Sequence, residues 1–423
     1  MRRYILLVLF IFIFVPVSAQ DYEFEIPEEE ESRIEFNGNL DVKWAILNTR
    51  ESSPFYEIQF YQTTDNSSYL SRYRLDHYFN AEYRRKKVDF VMKTFSQYKK
   101  DEPFSLSFHE LYGSLNLSPK LTFGIGKKRF IWGKGYAFNP AGYVNTEKDP
   151  ENPELALSGK SSTFFMFNKS LNSDFLKNFS FSSIILPPEA IINEKFAPLE
   201  DTEIALKTYF LIKNTDIDFM FFYGKNQLRR YGFDFSTNLK ENFEIHGEWS
   251  YAQNEGKFII QKNLPWLQKI DGSSFIFGIR YLNRFNMTVI AEYYHNNRGL
   301  SKEEFNDYYD YIETTIKSNS LNIISQVKQD VSSRFISKTL MKDYLYIIVR
   351  QPEPFGWLYS SFSIFTIYNL SDHSFILSPR FGYEPFTNFE FLLWPALTLG
   401  ESNSEYGSRQ FQKKVEFWMR FYF

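Results

Sequence analysis

The chain has 423 residues, no cysteine and a formal net charge of −3, a balance that argues against a nucleic-acid binder and rules out disulfide frameworks, thiolate metal sites and cysteine nucleophiles. Mean hydropathy is −0.38, as in a soluble protein, yet 20% of the residues are aromatic, 47 Phe and 29 Tyr among them, which argues against disorder. The apolar surface is concentrated in rings, so the fold depends on where those rings face.

Arg2 and Arg3 precede an uncharged apolar run from Ile5 to Val17, and Val17-Ser18-Ala19 supplies the small residues of a signal-peptidase site. The run is shorter than the roughly 20 apolar residues that a membrane anchor needs. Residues 1–19 are expected to be a cleaved export signal, and 20–33, with the acidic run Glu28 to Glu31, a periplasmic N-terminal segment. No later stretch approaches a transmembrane helix, and without a lipid-attachment cysteine a lipoprotein is excluded.

From Ile34 to Ile46 the chain alternates: Ile34, Phe36, Leu40, Val42, Trp44 and Ile46 share one face, and Glu35, Asn37, Asn39, Asp41 and Lys43 the other. The device recurs with Phe243, Ile245, Trp249 and Tyr251 against Glu244, His246 and Glu248, and with Phe275, Phe277, Ile279 and Tyr281 against Ser274, Gly278 and Arg280. Each segment runs roughly 9 to 13 residues, the length of a tilted strand that crosses a bilayer. Such segments begin near residues 34, 70, 87, 106, 121, 162, 178, 202, 215, 228, 242, 273, 286, 343, 356, 373, 386 and 412. The expectation is an all-β fold over 34–423, a transmembrane antiparallel β-barrel of about eighteen strands, with sixteen to eighteen the range.

The connections sort by parity. Even-to-odd connections are short, among them Arg85-Lys86, Lys213-Asn214, Arg284-Phe285, Pro352-Glu353-Pro354 and Glu384-Pro385. Odd-to-even connections include every long loop: 48–69, 132–161, 187–201, 253–272, 296–342 and 399–411. Short periplasmic turns and long outer loops are the pattern of an outer-membrane barrel. In that solvent a sheet must close to pair every backbone group, its rings face lipid, and averaging them with a polar interior gives the modest hydropathy.

The last segment alternates Val415, Phe417, Met419, Phe421 and Phe423 against Lys414, Glu416, Trp418 and Arg420. Phe421 and the terminal Phe423 resemble the C-terminal signal read by the bacterial barrel-assembly machinery. Inward positions carry both signs, among them Arg230, Arg280, Arg380 and Arg420 against Glu244, Glu248 and Glu292, as a lumen wall. About eighteen strands leave an aqueous lumen. A channel for small hydrophilic solutes is the leading reading, with a partial plug by 296–342 as the alternative within it.

The stretch Gly124-Ile-Gly126-Lys127-Lys128-Arg129-Phe-Ile-Trp132-Gly133-Lys134-Gly135, followed by Asn139-Pro140, resembles a segment of porin-like outer-membrane families that include the alginate-export-like barrels. The resemblance implies that loop 132–161 folds inward and narrows the pore. Lys127, Lys128 and Arg129 would then face Glu147, Asp149, Glu151 and Glu154 across a constriction, selecting permeants by field and size. The alternative is a surface loop with solvated charges. The glycine pairs lack the Gly-Lys-Ser/Thr ending of a phosphate loop and fit bulges or kinks instead.

Ser301-Lys-Glu-Glu304 has the form of a capping box that opens a helix carrying Phe305, Tyr308, Tyr309 and Ile312. Among five histidines, only His295, beside Glu292 at a strand end, suits acid/base work, and a rim histidine is the blander reading. The expectation is therefore no enzyme, no cofactor and no metal. Expected partners are outer-membrane lipid, the assembly machinery through Phe423, and small hydrophilic solutes or a polysaccharide. No nucleic acid is expected, and a homotrimer is left open. Resemblance to alginate-export-like barrels makes a polysaccharide exit conduit the runner-up, and a non-conducting surface or adhesion barrel the third reading.

Overall fold

A computed structural model describes residues 34–62, 67–100, 102–187, 201–334 and 339–423; the expected export signal and the acidic segment 20–33 lie outside them. The first six strands are β1 (Ile34–Thr49), β2 (Tyr69–Arg85), β3 (Val88–Lys99), β4 (Ser105–Ser118), β5 (Leu121–Lys128) and β6 (Lys160–Ser170). Next come β7 (Leu176–Leu186), β8 (Glu203–Ile212), β9 (Thr215–Gly224), β10 (Leu228–Lys240), β11 (Phe243–Gln261) and β12 (Leu264–Leu282). The last are β13 (Thr288–His295), β14 (Asp343–Pro352), β15 (Ser360–Asn369), β16 (Phe375–Phe386), β17 (Phe389–Leu399) and β18 (Phe411–Tyr422). Every strand pairs antiparallel with its neighbours in sequence, and β18 returns to β1, so the eighteen-stranded sheet closes on itself. No sheet edge is left to be satisfied in lipid.

The alternation in the sequence decides the faces. On β1, Ile34, Phe36 and Trp44 are exposed on the outside, whereas Asp41 and Lys43 are buried within. On β18, Phe417, Met419 and Phe421 face out and Trp418 is buried inside. The seam is sealed at its end by Phe423, whose backbone exchanges hydrogen bonds with Gly38 at 3.0 and 3.1 Å. A Cβ on Gly38 would lie 2.6 Å from the Phe423 ring, so the glycine leaves room for the terminal ring to cover the seam.

One expected loop is strand instead. The segment 253–272 forms the upper halves of β11 and β12, a hairpin continued beyond the neighbouring strands to a turn at residues 262–263. Its run Phe258-Ile259-Ile260 is apolar on both faces and shows no period of two, because the hairpin meets loops as well as solvent.

Among the described residues, three α-helices lie in the outer loops: α1 (Pro54–Gln59), α2 (Lys302–Lys317) and α3 (Leu321–Arg334). The capping box of α2 is present, with Ser301 and Glu304 each satisfying the other's backbone N–H. Phe55 of α1 stacks on Phe305 at 6.3 Å and meets Tyr308 edge-on at 5.8 Å, while Phe258 of the hairpin reaches Tyr308 at 5.7 Å. Lys257 of the hairpin binds Glu304 at 2.7 Å. This apolar cluster continues down to the inward-facing Ile276, Ile290, Tyr344 and Tyr346. The sequence implied a polar interior, and the structure corrects this, because loops that fold over or into a barrel need apolar contacts of their own.

Candidate functional site: an inward loop on a carboxylate wall

The connection between β5 and β6, residues 129–159, folds into the barrel. Its rings Phe130, Trp132 and Tyr143 are buried with Phe164 and Phe222 of the wall. Polar anchoring comes from inward-facing acids on one wall of the barrel: Asp218 on β9, Asp234 on β10, Glu248 on β11 and Glu292 on β13. Glu248 accepts from Gly135 N at 2.5 Å, Asn139 Nδ2 at 2.9 Å and Ala141 N at 3.3 Å. Glu292 accepts from Tyr136 N, from Ala137 N at 2.9 Å and from His246 Nε2 at 3.0 Å. Lys134 Nζ lies 3.1 Å from Asp218, which Lys207 also reaches at 3.1 Å. Buried carboxylates need several donors, and here an irregular backbone supplies them.

This geometry explains the Gly133-Lys-Gly135 spacing. Gly133 has φ +87° and its Cβ would lie 2.6 Å from Glu248 Oε1; a Cβ on Gly135 would lie 2.8 Å from Ile276 Cδ1 of β12 and 2.2 Å from Phe138 O within the loop. Both glycines serve close approach of the loop to the wall, and not the strand bulge expected from sequence. Lys148 then ties the loop to itself through Gly135 O at 2.7 Å and Tyr136 O at 2.9 Å.

The expected pairing across the loop is not the observed one. Alternation on β5 puts Lys127 on the outward face with Phe123 and Ile125, Lys128 Nζ sits over the Tyr112 ring at 4.1 Å, and Arg129 gives its backbone N–H to Glu110 at 3.0 Å. The loop acids find other cations. Glu154 binds Arg350 at 2.5 Å, and Glu151 binds Arg409 in the β17–β18 connection. Burial, reinforced by Glu151 beside it, holds the Asp149 carboxyl above the ordinary range. Burial also opposes charge on Glu154, but Arg350 outweighs it and holds that carboxyl below the ordinary range. Glu147 lines the outer cavity described below.

A second inward segment, residues 400–410, was legible only as an outer loop. Arg50 donates to Tyr406 O at 3.0 Å and Thr398 O at 3.1 Å, and Glu405 accepts from Leu340 N at 2.8 Å, Tyr344 OH at 2.7 Å and Asn369 Nδ2 at 2.8 Å. Burial pushes the Glu405 carboxyl up to about 7.

The other wall residues expected to line the lumen are paired along the sheet. Arg230 binds Glu255 at 2.8 Å, Glu244 lies 3.6 Å from Arg280, and Arg420 forks onto Asp41 at 2.7 and 2.9 Å. Arg380 is packed over the Trp394 ring at 5.1 Å. His295 and Glu292 fall on opposite faces of β13, so they form no acid/base pair; His295 instead lies 2.8 Å from Asp343 and stacks on Phe275 at 5.1 Å.

Sequence reasoning missed an aromatic patch on the inward face of β2 to β4. The ladder pairs Lys93 with Glu110 and Thr94 with Phe108, so His109 is an extra residue in β4. That bulge turns the imidazole onto Phe95 at 5.0 Å, beside Tyr78, which lies 4.8 Å from Phe95. A bulge leaves no trace in a period-two pattern beyond a one-residue slip.

Two cavities flank the inward loop. One, of about 390 Å³, lies between loop residues Tyr136 and Glu151 to Glu154 and the turn ends of β13 to β17, with Arg350, Arg380 and Trp394 on its wall. The other, of about 440 Å³, lies on the outer side, between Phe138, Glu147 and Lys148 of the loop and Arg230, Glu255, Asn296 and Arg298.

No protein-family model matches the sequence, and no curated protein matches it. Solved structures do match in fold. Pseudomonas aeruginosa OccK8 (OprE) superposes with a TM-score of 0.55 at 9% identity, over 92% of this chain and 98% of that one. OccK2 (OpdF) of the same organism, solved in complex with glucuronate, gives 0.54 at 8% over 92% and 97%. Escherichia coli Wzi, an outer-membrane protein involved in group 1 capsule assembly and a carbohydrate-binding β-barrel, gives 0.52 at 10% over 90% and 83%. At these identities the likeness establishes the fold, and the fold with its apolar outer face is that of a bacterial outer-membrane barrel.

Proposed function

We propose that this barrel is a passive, porin-like channel for small hydrophilic solutes, narrowed by the inward loop at residues 129–159. The observation that carries the reading is the docking of that loop on Glu248 and Glu292, with a polar cavity on either side of it. Each cavity has the volume of a small-molecule site, at the low end of the usual ~300–1,000 Å³. Solutes of sugar size fit that scale, and a polymer chain does not. The mixed charge of the cavity walls, Arg350 and Arg380 with Glu154 and Glu390, or Arg230 and Arg298 with Glu255, also favours a general pore over a conduit for a polymer of one sign. Glu151, Glu154, Arg350, Arg380 and Arg409 are the residues assigned to the constriction, in place of Lys127, Lys128 and Arg129.

Planar-bilayer recording of the refolded mature chain tests this. Discrete ion-conducting steps are expected, together with entry of monosaccharides in a liposome-swelling assay. A barrel that folds and stays electrically silent would sink the proposal and leave the surface-protein reading.

A further inference from the structure

The short-turn rim of the barrel is divided in two. From β2 to β9 its exposed turns carry Arg84, Arg85, Lys86 and Lys87, then Lys120, then Lys213, with one ring, Phe175. From β12 to β17 three consecutive turns each project an exposed ring: Phe285, then Phe355 with Trp357 and Tyr359, then Phe386. The middle turn, residues 353–359, is the most exposed. Phe355 has its full surface open at 109%, Leu358 59% and Tyr359 68%. Its backbone is also unusual, with Glu353, Phe355 and Tyr359 at φ +46°, +59° and +60°. Glycine or asparagine would take such positions more easily, so a bulky ring at 355 is not there for the turn itself.

We propose that this turn is a lipid anchor, with Phe355, Trp357, Leu358 and Tyr359 inserted into the periplasmic leaflet and phospholipid as their occupant. The patch is continuous with the lipid-facing band: the Trp357 ring packs 5.2 Å from both Phe381 and Tyr383 of β16. It is also continuous along the rim, since Gln351 donates to Phe285 O at 2.9 Å. Arg284 lies over the Phe285 ring at 4.7 Å, an arrangement that keeps a cation at headgroup level above buried rings. Trp and Tyr favour this interface because one end is apolar and the other wet. The opposite half of the rim, rich in Lys and Arg, stays at the level of the anionic headgroups. The barrel accordingly sits deeper on its β14–β15 side.

The chain has no native cysteine, so Phe355→Cys and Lys213→Cys, each carrying a nitroxide label on the full barrel in phospholipid liposomes, compare the two halves directly. A ratio of oxygen to nickel-chelate accessibility several-fold higher at 355 than at 213 is expected. Equal, water-like ratios at both positions overturn the proposal. So does a label at 355 that is water-accessible in liposomes while the cysteine is protected from maleimide in native outer membranes, which would assign the patch to a protein partner. Leu358→Cys repeats the test within the same turn should the 355 variant assemble poorly. The result does not depend on whether the barrel conducts.

Discussion

Two walls of the same barrel use the same alternating acids in opposite ways. On β9 to β13, Asp218, Asp234, Glu248 and Glu292 turn inward and hold a loop, Glu248 and Glu292 through backbone N–H groups and Asp218 through Lys134. On β1, β2 and β18, Asp41 and Asp76 turn inward and are neutralised within the sheet: Lys43 lies 2.7 Å from Asp76, Arg74 3.1 Å from it, and Arg420 grips Asp41. Asp41 faces Arg420 in the ladder, and Asp76 takes its cations from Lys43 and Arg74 nearby on the sheet. Glu248 instead faces Asp234 and Ile276, and Glu292 faces Gly278 and Tyr346, so neither meets a Lys or Arg across the ladder and both take loop donors. The neighbours of Asp234 in the ladder are Asp218 and Glu248, so no cation was available from the sheet.

The largest expected effect follows from breaking the capturing side. Glu248→Ala orphans three loop donors, each buried donor costing about 1–3 kcal/mol. The loop should leave its wall, with single-channel conductance rising and residues 132–161 becoming sensitive to limited proteolysis. An unchanged conductance would show that the loop is held by its rings alone. A smaller effect is expected on the neutralised side. Asp76→Ala leaves Lys43 and Arg74 unbalanced, so reversal potentials should move toward anion preference while the loop stays protease-resistant.

Smaller again is a pH effect at the other inward segment. The folded Glu405 carboxyl titrates at about 7, above its unfolded value, so the folded form binds the extra proton between about pH 4.5 and 7 and docking of residues 400–410 weakens as pH rises through that window. Intrinsic-rate-corrected hydrogen exchange in 400–410 should be slower at pH 5 than at pH 8, and Glu405→Gln should abolish the difference. The smallest effect is expected at the seam. Phe423→Ala removes a ring over Gly38 and beside His77, a contact of roughly 0.2–1 kcal/mol, and should lower the unfolding temperature on semi-native gels without altering conductance.

Much of the fold was legible because its determinants are local. Alternation reads out which face meets lipid, and seventeen of the eighteen strand starts fall within a few residues of the sequence estimate, the exception being β12 at Leu264. The α2 helix was legible for the same reason, since Ser301 and Glu304 meet within one turn. The helix α3 and the hairpin above β11 and β12 were not, because their apolar residues answer to other loops and not to a bilayer.

At the site, residue types were legible and partners were not. Loop acids and wall arginines stood out in the sequence, but Glu151 meets Arg409 and Glu154 meets Arg350 across the barrel interior. Nearby Lys127, Lys128 and Arg129 were the natural guess because sequence proximity was the only distance on offer.

By itself, then, the sequence determined a membrane barrel of about eighteen strands and the side of the sheet on which most rings and charges of the regular strands fall, because a two-residue period and a lipid solvent leave few alternatives. Only the tertiary structure decided which charges hold loops, which neutralise each other and which remain at the cavities. Barrel closure brings together residues more than a hundred positions apart, and burial then requires each of their polar atoms to be answered by whatever group lies opposite.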